Sequence, residues 1–260
     1  MDPISNHHLA IDIGNSSAKA AVFRGAQMME PIVRFTDQQW AVADDLVTNR
    51  GVKNIIYSTV ANVPPKTWID KWESEGRRIV PLSVKLPLPF QSAYQTMETL
   101  GQDRIAVVAA SLALPAAEGI SGKRPPARLI VDAGTCATLD LVDATGKYLG
   151  GNISPGLHMR LQAMHTFTAR LPLPEVKDPL GIVGQSTASA LRHGGLMGLV
   201  YEIEGLFHRL QAIYPGLELL LTGGDGQWLA QRLSIPARFY PHLVLLGLNQ
   251  ILSNYVEIES

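Results

Sequence analysis

The sequence predicts an α/β fold made of two similar lobes, and two observations carry this prediction. First, an Asp-x-Gly turn between apolar runs occurs twice, at Asp12 and at Asp132. Second, each copy opens a series of strands that is followed by helices, and this mixed order excludes an all-β sandwich and a helical bundle. A cleft between two such lobes is where a small-molecule ligand normally binds.

The composition is that of a globular chain with a sizeable core. Of the 260 residues, 46% are hydrophobic and 17% are charged, and the formal net charge is -1. No Lys/Arg stripe is present, which disfavours a nucleic-acid role. The single cysteine, Cys136, excludes an intramolecular disulfide and a cysteine metal cluster. No signal peptide or membrane span is evident, so we expect a cytoplasmic protein, with His7 and His8 in a leader or tag remnant.

The first lobe, predicted over residues 1–118, opens with the stretch HHLAIDIGNSSAKAAVF. Leu9, Ile11 and Ile13 alternate as in a strand, and residues 18–23 can return as a second strand. Further strands are expected at 30–35, 52–61 and 77–82, and helices at 37–51, 64–76 and 103–117. The proline-bearing loop over 85–102 is long for a compact domain, which favours a functional role.

The second lobe, predicted over residues 119–260, follows a linker candidate at 118–128 that is rich in Gly, Pro and charge. The stretch LIVDAGTCATLDLVDATGKYLGGNI repeats the opening pattern of strand, Asp-x-Gly turn and strand. One more strand is expected in LELLLTGGDG. The remainder is expected to be largely helical, including the C-terminal HLVLLGLNQILSNYV.

The two Asp-x-Gly hairpins carry the residue types of a phosphate site. Gly14 and Gly134 let the backbone approach a ligand closely. Hydrogen-bond donors for phosphate oxygens are Asn15, Ser16, Ser17, Thr135 and Thr138. Asp12 and Asp132 are placed to hold cations, and Mg²⁺ is the usual partner of a transferred phosphoryl group. The alternative for either turn alone is a plain surface turn. Neither a Walker lysine nor a GxGxxG pattern is present, which disfavours those ATP-binding folds.

Three further residues or pairs have two interpretations each. Lys19 either neutralises phosphate charge or is a solvated strand residue. Gly223 and Gly224 either let an adenine ring lie against the backbone or form a tight turn after a buried strand. Cys136 is expected to be a small buried hydrophobe, with a reactive thiol as the alternative.

Six motifs occur in order along the chain: DIGNS at 12–16, GQDR at 101–104, DAGTCATLD at 132–140, GGNISPG at 150–156, TARLP at 168–172 and TGGD at 222–225. Together they closely resemble the type III pantothenate kinases, a bacterial family of the actin-like ATPase and sugar-kinase superfamily, with its ribonuclease H-like lobes. The resemblance extends from Leu9 to about Tyr255. It implies ATP-dependent phosphorylation of pantothenate, the first step of coenzyme A biosynthesis, by a homodimer.

The resemblance also implies roles for individual residues. ATP would bind at Asp12, Ile13, Gly14, Asn15, Ser16, Ser17, Ala18, Lys19 and Thr135. Pantothenate would bind at Tyr94, Gly101, Gln102, Asp103, Arg104 and Thr187, with Asp103 as the base and Thr187 reaching across the dimer interface. Asp132 is associated with an activating monovalent cation, K⁺ or NH₄⁺, which acts beside ATP and Mg²⁺.

The chemistry of phosphoryl transfer fits these residues. Its transition state is loose, so positioning and charge neutralisation matter more than a strong base. Asp103, at the start of a predicted helix, either accepts the hydroxyl proton late in the reaction or only caps the helix. Arg104 can pair with a carboxylate or with phosphate oxygens. For Tyr94 and Thr187, the alternatives are loop packing and helix capping.

Two other functions stay open at this point. Another kinase of the superfamily, acting on a sugar or acyl substrate, would use the same ATP loops but gives no reason for Tyr94, Asp103 and Arg104. A catalytically silent nucleotide- or pantothenate-binding regulator of the same fold would be marked by loss of an Asp at 12, 103 or 132, and all three are present.

Overall fold

The computed structural model describes residues 7–14, 17–60, 62–117, 125–175 and 182–259. The chain divides into two compact units: unit 1 comprises Met1–Leu114 and His242–Ser260, and unit 2 comprises Pro115–Pro241. Most of the predicted linker, and Asn15 and Ser16 of the first turn, lie outside the described residues. No helix within the described ranges is both long enough and apolar enough to cross a membrane.

Unit 1 is built on a five-stranded sheet with helices on both faces. The strands are β1 (His7–Ile13), β2 (Ala18–Arg24), β3 (Gln27–Phe35), β4 (Val52–Thr59) and β5 (Arg78–Pro81). The helices are α1 (Ala41–Asn49), α2 (Lys66–Ser74), α3 (Gln102–Ala113) and the C-terminal α8 (Leu243–Ile258). The strand order is β3-β2-β1-β4-β5, in which β1, β2 and β3 are antiparallel and β4 and β5 run parallel to β1.

Unit 2 repeats this plan. Its strands are β6 (Arg128–Ala133), β7 (Cys136–Val142), β8 (Tyr148–Pro155), β9 (Glu218–Thr222) and the short β10 (Arg238–Phe239). Its helices are α4 (Leu157–Thr166), α5 (Thr187–Arg192), α6 (Gly198–Gln211) and α7 (Gly226–Ala230), with a π-helical segment at His193–Met197. The order β8-β7-β6-β9-β10 matches that of unit 1 strand for strand. The predicted α/β fold of two similar lobes is therefore confirmed.

The internal repeat also extends to the pairing register. Asp12 on β1 lies opposite Lys19 on the antiparallel β2 and opposite Ser58 on the parallel β4. Asp132 on β6 lies opposite Thr138 on β7 and Thr222 on β9 in the same arrangement. Each sheet thus presents one carboxylate near the end of its first strand, just before the Asp-x-Gly turn.

The C-terminal helix belongs to unit 1, whereas the predicted boundary placed it in the second lobe. Helix α8 packs against α3 and the sheet, with Leu248 and Leu252 buried. The approach to α3 is close, because a Cβ on Gly247 would overlap the carbonyl oxygen of Ala106. The boundary was predicted from chain order, which does not reveal which sheet face an apolar helix covers.

His7 and His8 belong to β1 and not to a leader, so that interpretation is wrong. His8 is buried, and its Nδ1 lies 3.1 Å from Oδ1 of Asn249 on α8. The Asn249 amide in turn donates a hydrogen bond to the Gly25 carbonyl at 2.9 Å. Burial lowers the pKa of His8, and the contact with Asn249 opposes this shift. Because Asn249 provides a hydrogen-bond partner for the buried His8, β1 can begin at His7, two residues before the apolar alternation that starts at Leu9.

Candidate active site

Asp12 is the centre of a polar row across the sheet of unit 1, formed by Ser58, Asp12 and Lys19 on adjacent strands. The Ser58 hydroxyl donates to Asp12 Oδ1 at 3.1 Å. Burial raises the pKa of Asp12, and the nearby Asp103 carboxylate raises it further, while Ser58 and Lys19 oppose the shift. A bound cation would relieve this cost, because it stabilises the ionised form of the buried carboxyl.

The GQDR motif forms the first turn of α3 beside the end of β4. Gly101 is the N-cap residue, and the Asp103 side chain folds back over it, so that a Cβ on Gly101 would lie 2.5 Å from Asp103 Oδ1. The Arg104 N–H donates to the same oxygen at 2.8 Å. The Thr59 N–H donates to Gln102 Oε1 at 2.7 Å, which ties the motif to β4. Asp103 is thus a first-turn residue, and the interpretation of it as the N-cap is wrong.

Tyr94, from the long loop before α3, lies beside this motif. The Arg104 guanidinium is 5.5 Å from the centroid of the Tyr94 ring, and Arg104 is only 3% exposed. A buried cation over an aromatic ring stabilises the contact by roughly 1–2 kcal/mol. The structure therefore brings Tyr94, Asp103 and Arg104 together, and their contact with a substrate stays a prediction.

In unit 2, the turn after β6 packs tightly on the turn after β9. Gly223 has a φ of +87°, and a Cβ there would overlap the Ala133 carbonyl oxygen and lie 2.5 Å from Asp132 Oδ1. The Asp225 N–H donates to the same carbonyl at 3.0 Å. Gly223 is therefore required by the tight turn, which was one of its two interpretations.

Thr138 lies opposite Asp132 and carries a buried hydroxyl oxygen that has no hydrogen-bond partner among the described residues. A buried polar atom of this kind calls for an explanation, and an ion or a water is the usual one. Carboxylate and hydroxyl oxygens are ligands that hard cations prefer. The pair therefore fits a cation at the predicted position of Asp132.

A cavity of about 800 Å³ lies within unit 2. Its lining includes Gly134, Thr135, His158, Met159, Phe167, Leu173, Gly224 and Asp225. Small-molecule sites commonly have volumes of about 300–1,000 Å³. Burial raises the pKa of Asp225, whereas His158 lowers it. A lining that combines apolar side chains with the Thr135 hydroxyl suits a flat base that carries a phosphate chain.

Two predicted residues are exposed at the surface of unit 2. Thr187 is the first residue of α5, and Ser186 caps that helix through a reciprocal pair of bonds with Ser189. Thr187 is therefore not the capping residue. Cys136 is exposed, so its interpretation as a buried hydrophobe is wrong. Cys136 is the first residue of β7, directly after the turn, and burial begins only at the next residue, Ala137.

The sequence reasoning missed Ser58 and His158. Ser58 is the last residue but one of β4 and follows the apolar run Ile55–Tyr57. A polar residue near the carboxyl end of a parallel strand is a signal that could have identified it. His158 carries no comparable signal, since it is the second residue of a predicted helical stretch and only the fold brings it to the cavity.

The carboxylates of unit 1 suit Mg²⁺ better than a metal ion that is bound by protein side chains alone. Within the described ranges, no group of three or more His, Cys, Asp or Glu side chains could hold a metal ion. Mg²⁺ needs no such group, because it binds through one or two carboxylates, several waters and substrate phosphates. Asp12 and Asp103, whose charges interact, supply that donor set.

Asp12→Asn is expected to raise the melting temperature of the ligand-free protein at neutral pH. The pKa of Asp12 is raised on folding, so its charge opposes folding above that pKa, and the opposition fades as the pH falls toward the ordinary value of 3.8. Thermal melts at about pH 7.5 and about pH 4.5 should show a difference from wild type that shrinks in acid. Asp45→Asn, on an exposed position of α1, is the control. If Asp12→Asn and wild type melted at the same temperature at both pH values, the interpretation of Asp12 as a buried charge would be contradicted.

Comparison with known proteins agrees with the sequence motifs. The family model of the type III pantothenate kinases matches residues 8–209. The type III pantothenate kinase of Phocaeicola vulgatus is 37% identical over 246 residues, which cover 95% of this chain and 98% of the relative.

Two solved structures share the fold. A Campylobacter jejuni protein assigned to the Baf family of transcriptional activators matches with a TM-score of 0.60 and 24% identity, covering 96% of this chain and 99% of that one. The activator of 2-hydroxyisocaproyl-CoA dehydratase from Clostridium difficile, with bound ADPNP, matches with a TM-score of 0.53 and 11% identity, covering 97% of both chains. At these identities the likeness concerns the fold alone. The family model and the relative, which both cover most of the chain, confirm the resemblance found in the motifs: this chain belongs to the type III pantothenate kinase family.

Proposed function

We propose that this protein transfers the γ-phosphoryl group of ATP to a hydroxyl group of pantothenate, with Mg²⁺, in the first step of coenzyme A biosynthesis. Family membership supports the reaction. The observation that carries the site is a pair of hydrogen bonds at the end of β4. The Ser58 hydroxyl donates to Asp12 of the first turn, and the next residue, Thr59, donates its N–H to Gln102 of the GQDR motif. A carboxylate for the metal and a carboxylate for the acceptor are what phosphoryl transfer requires.

Asp103 is the proton acceptor in this proposal. The Arg104 N–H holds one carboxylate oxygen, which fixes the side chain at the start of α3. The acceptor hydroxyl loses its proton to Asp103 as its oxygen bonds to phosphorus and the bond to the β-phosphate oxygen breaks. Orientation of the hydroxyl for in-line attack is the larger part of this role.

The residues around Asp103 bind pantothenate, which offers a carboxylate, an amide and two hydroxyls. Tyr94 and Arg104 present a phenol and a guanidinium from one cation–π pair. Gly101 and Gln102 shape the turn that carries them. A planar guanidinium suits a carboxylate ligand because both can form two parallel hydrogen bonds.

The residues assigned to ATP fall into two groups, and each group is described within its own unit. The turn at 12–19 takes the phosphates, and the cavity beside Thr135 takes the adenosine, with Gly224 along one wall. Asp12 would hold Mg²⁺ directly or through water. When bound, Mg²⁺ neutralises charge on the phosphate oxygens.

The proposal places the activating K⁺ or NH₄⁺ at Asp132 and Thr138. The buried Thr138 hydroxyl supports this assignment. We expect Thr138→Val to raise the K⁺ concentration for half-maximal activation about tenfold, since loss of a cation ligand costs affinity while the shape is kept. Activity is measured in K⁺ at constant ionic strength made up with Na⁺. Thr48→Val, on an exposed position of α1, is the control. An unchanged K⁺ response of Thr138→Val would remove Thr138 from the site.

The proposal includes a homodimer in which Thr187 reaches the partner's pantothenate. Large apolar side chains stand exposed in unit 2, at Phe167 with 86% exposure and Ile182 with 82%. Light scattering on the purified protein measures the mass, and a monomer at all concentrations would contradict the dimer.

A panel of acceptors tests the proposed function. The protein is incubated with ATP and Mg²⁺ and with pantothenate, a hexose or an acyl acid, and the products are identified by mass spectrometry. We expect a phosphorylated product from pantothenate only. Phosphorylation of another acceptor instead would assign a different kinase activity, and binding of ATP without turnover on any acceptor would indicate the silent regulator.

A further inference from the structure

The polar row of unit 1 continues onto β3 as a pair of like charges. Lys19 on β2 lies directly opposite Arg34 on β3, on the face of the sheet that also carries Asp12. Among the described residues, no ion pair joins a carboxylate to Lys19 or Arg34. Like charges directly opposite each other on a sheet destabilise it. An anion bound between them would remove that cost.

His242 is the N-cap residue of α8, and α8 packs against β2, the strand that carries Lys19. Burial lowers the pKa of His242, and the positive charges of Lys19 and Arg34 lower it further, while Glu30 has the opposite effect. The Nδ1 atom of His242 is buried and has no hydrogen-bond partner within the described ranges. A third nitrogen-bearing side chain is therefore present beside the two cations, and we name Lys19, Arg34 and His242 the basic cluster.

We infer that the basic cluster is a subsite that holds the phosphate chain of the nucleotide, beyond the turn at 12–17. The inference rests on the proposed function, because Lys19 ends the stretch assigned to ATP. Two permanent cations and a ring nitrogen match phosphate oxygens, and charge-assisted hydrogen bonds are the strong ones. Arg34 and His242 belong to none of the six sequence motifs.

The order of groups across the sheet favours phosphate over the pantothenate carboxylate as the anion. The GQDR motif is tied to β4, on one side of Asp12, whereas the basic cluster lies over β2 and β3 on the other side. Asp12, the proposed metal ligand, stands between them. Phosphoryl transfer needs this sequence of phosphate chain, metal and acceptor base.

Arg34→Gln tests the inference, with binding and turnover measured separately. Calorimetry with tripolyphosphate and Mg²⁺ reports on the subsite without any reaction, and we expect the Kd to rise about tenfold or more. The KM for ATP should rise similarly, and the KM for pantothenate should change less than about twofold. The melting temperature of ligand-free Arg34→Gln should stay level or rise by about 1 °C, because the repulsion from Lys19 is gone.

Two further variants sharpen the result. Arg24→Gln, on an exposed position at the far end of β2, is the matched control and should leave the tripolyphosphate Kd unchanged. His242→Asn should weaken tripolyphosphate binding at least threefold, and it serves as the second variant if Arg34→Gln does not fold. An unchanged Kd in folded Arg34→Gln, or a rise in the KM for pantothenate alone, would overturn the inference. Wild-type protein that binds tripolyphosphate but shows no pantothenate-dependent ADP release would overturn the proposed function and leave the subsite standing.

Discussion

Asp103→Asn is expected to lower kcat by about 10²-fold or more, with the KM for ATP nearly unchanged. Asparagine keeps the shape of the side chain, and its amide oxygen can still accept the hydrogen bond from the Arg104 N–H that now holds Asp103 Oδ1. It cannot accept the proton of the attacking hydroxyl. The fall in kcat therefore measures the role of Asp103 as proton acceptor, separately from its role in the packing of the GQDR turn. Steady-state ADP release at saturating ATP and pantothenate measures it.

The matched control for this variant is Asp70→Asn, which removes one carboxylate from an exposed position of α2. It should leave kcat and the melting temperature unchanged. Asp103→Asn should also melt at the wild-type temperature within a few degrees, since no buried contact is lost. Near-normal turnover of folded Asp103→Asn would remove Asp103 as the base and reduce it to a structural residue of α3.

Gly247→Ala is expected to destabilise the protein by about 3 kcal/mol, which is the largest stability effect we predict. The added methyl group would overlap the carbonyl oxygen of Ala106 on α3. Because this oxygen belongs to the backbone, it can move aside only if α3 or α8 shifts as a whole. The free energy of unfolding is measured by denaturant titration. A displacement of α3 also moves Asp103 and Arg104, so the variant should lose activity at temperatures where it remains folded.

The control is Gly205→Ala, at an exposed position in the middle of α6 where an added Cβ has no neighbour within 4 Å. Alanine favours a helix over glycine by about 0.5–1 kcal/mol, so this variant should be more stable than wild type. The two substitutions are chemically identical and have opposite expected signs. Equal stability of both variants would mean that α8 does not approach α3 as closely as the structure describes.

Much of the fold could be predicted because its signals are local. The alternation around Leu9, Ile11 and Ile13 predicted β1, and the recurrence of the Asp-x-Gly turn at Asp132 predicted a second sheet of the same topology. The assignment of α8 to unit 1 could not be predicted. It depends on which apolar surface the helix buries, and its own apolar pattern fits either sheet equally well.

Site residues that belong to a sequence motif could be predicted. Site residues that reach the site only through the register of strand pairing could not. The GQDR motif and Tyr94 were identified from sequence, and the structure brings Tyr94 within cation–π distance of Arg104. Ser58 and Arg34 reach the same face as Asp12 only through the pairing of β4 and β3 with their neighbours. Pairing partners distant in the chain leave no local signal, since a shift of one residue would turn each side chain to the other face.

The most direct test of the central claim is the release of ADP from ATP and Mg²⁺, measured with and without pantothenate. We expect release that requires pantothenate, is faster in K⁺ than in Na⁺, and yields one phosphorylated pantothenate for each ADP. A folded protein that binds ATP and Mg²⁺ but releases no ADP in response to pantothenate would contradict the account.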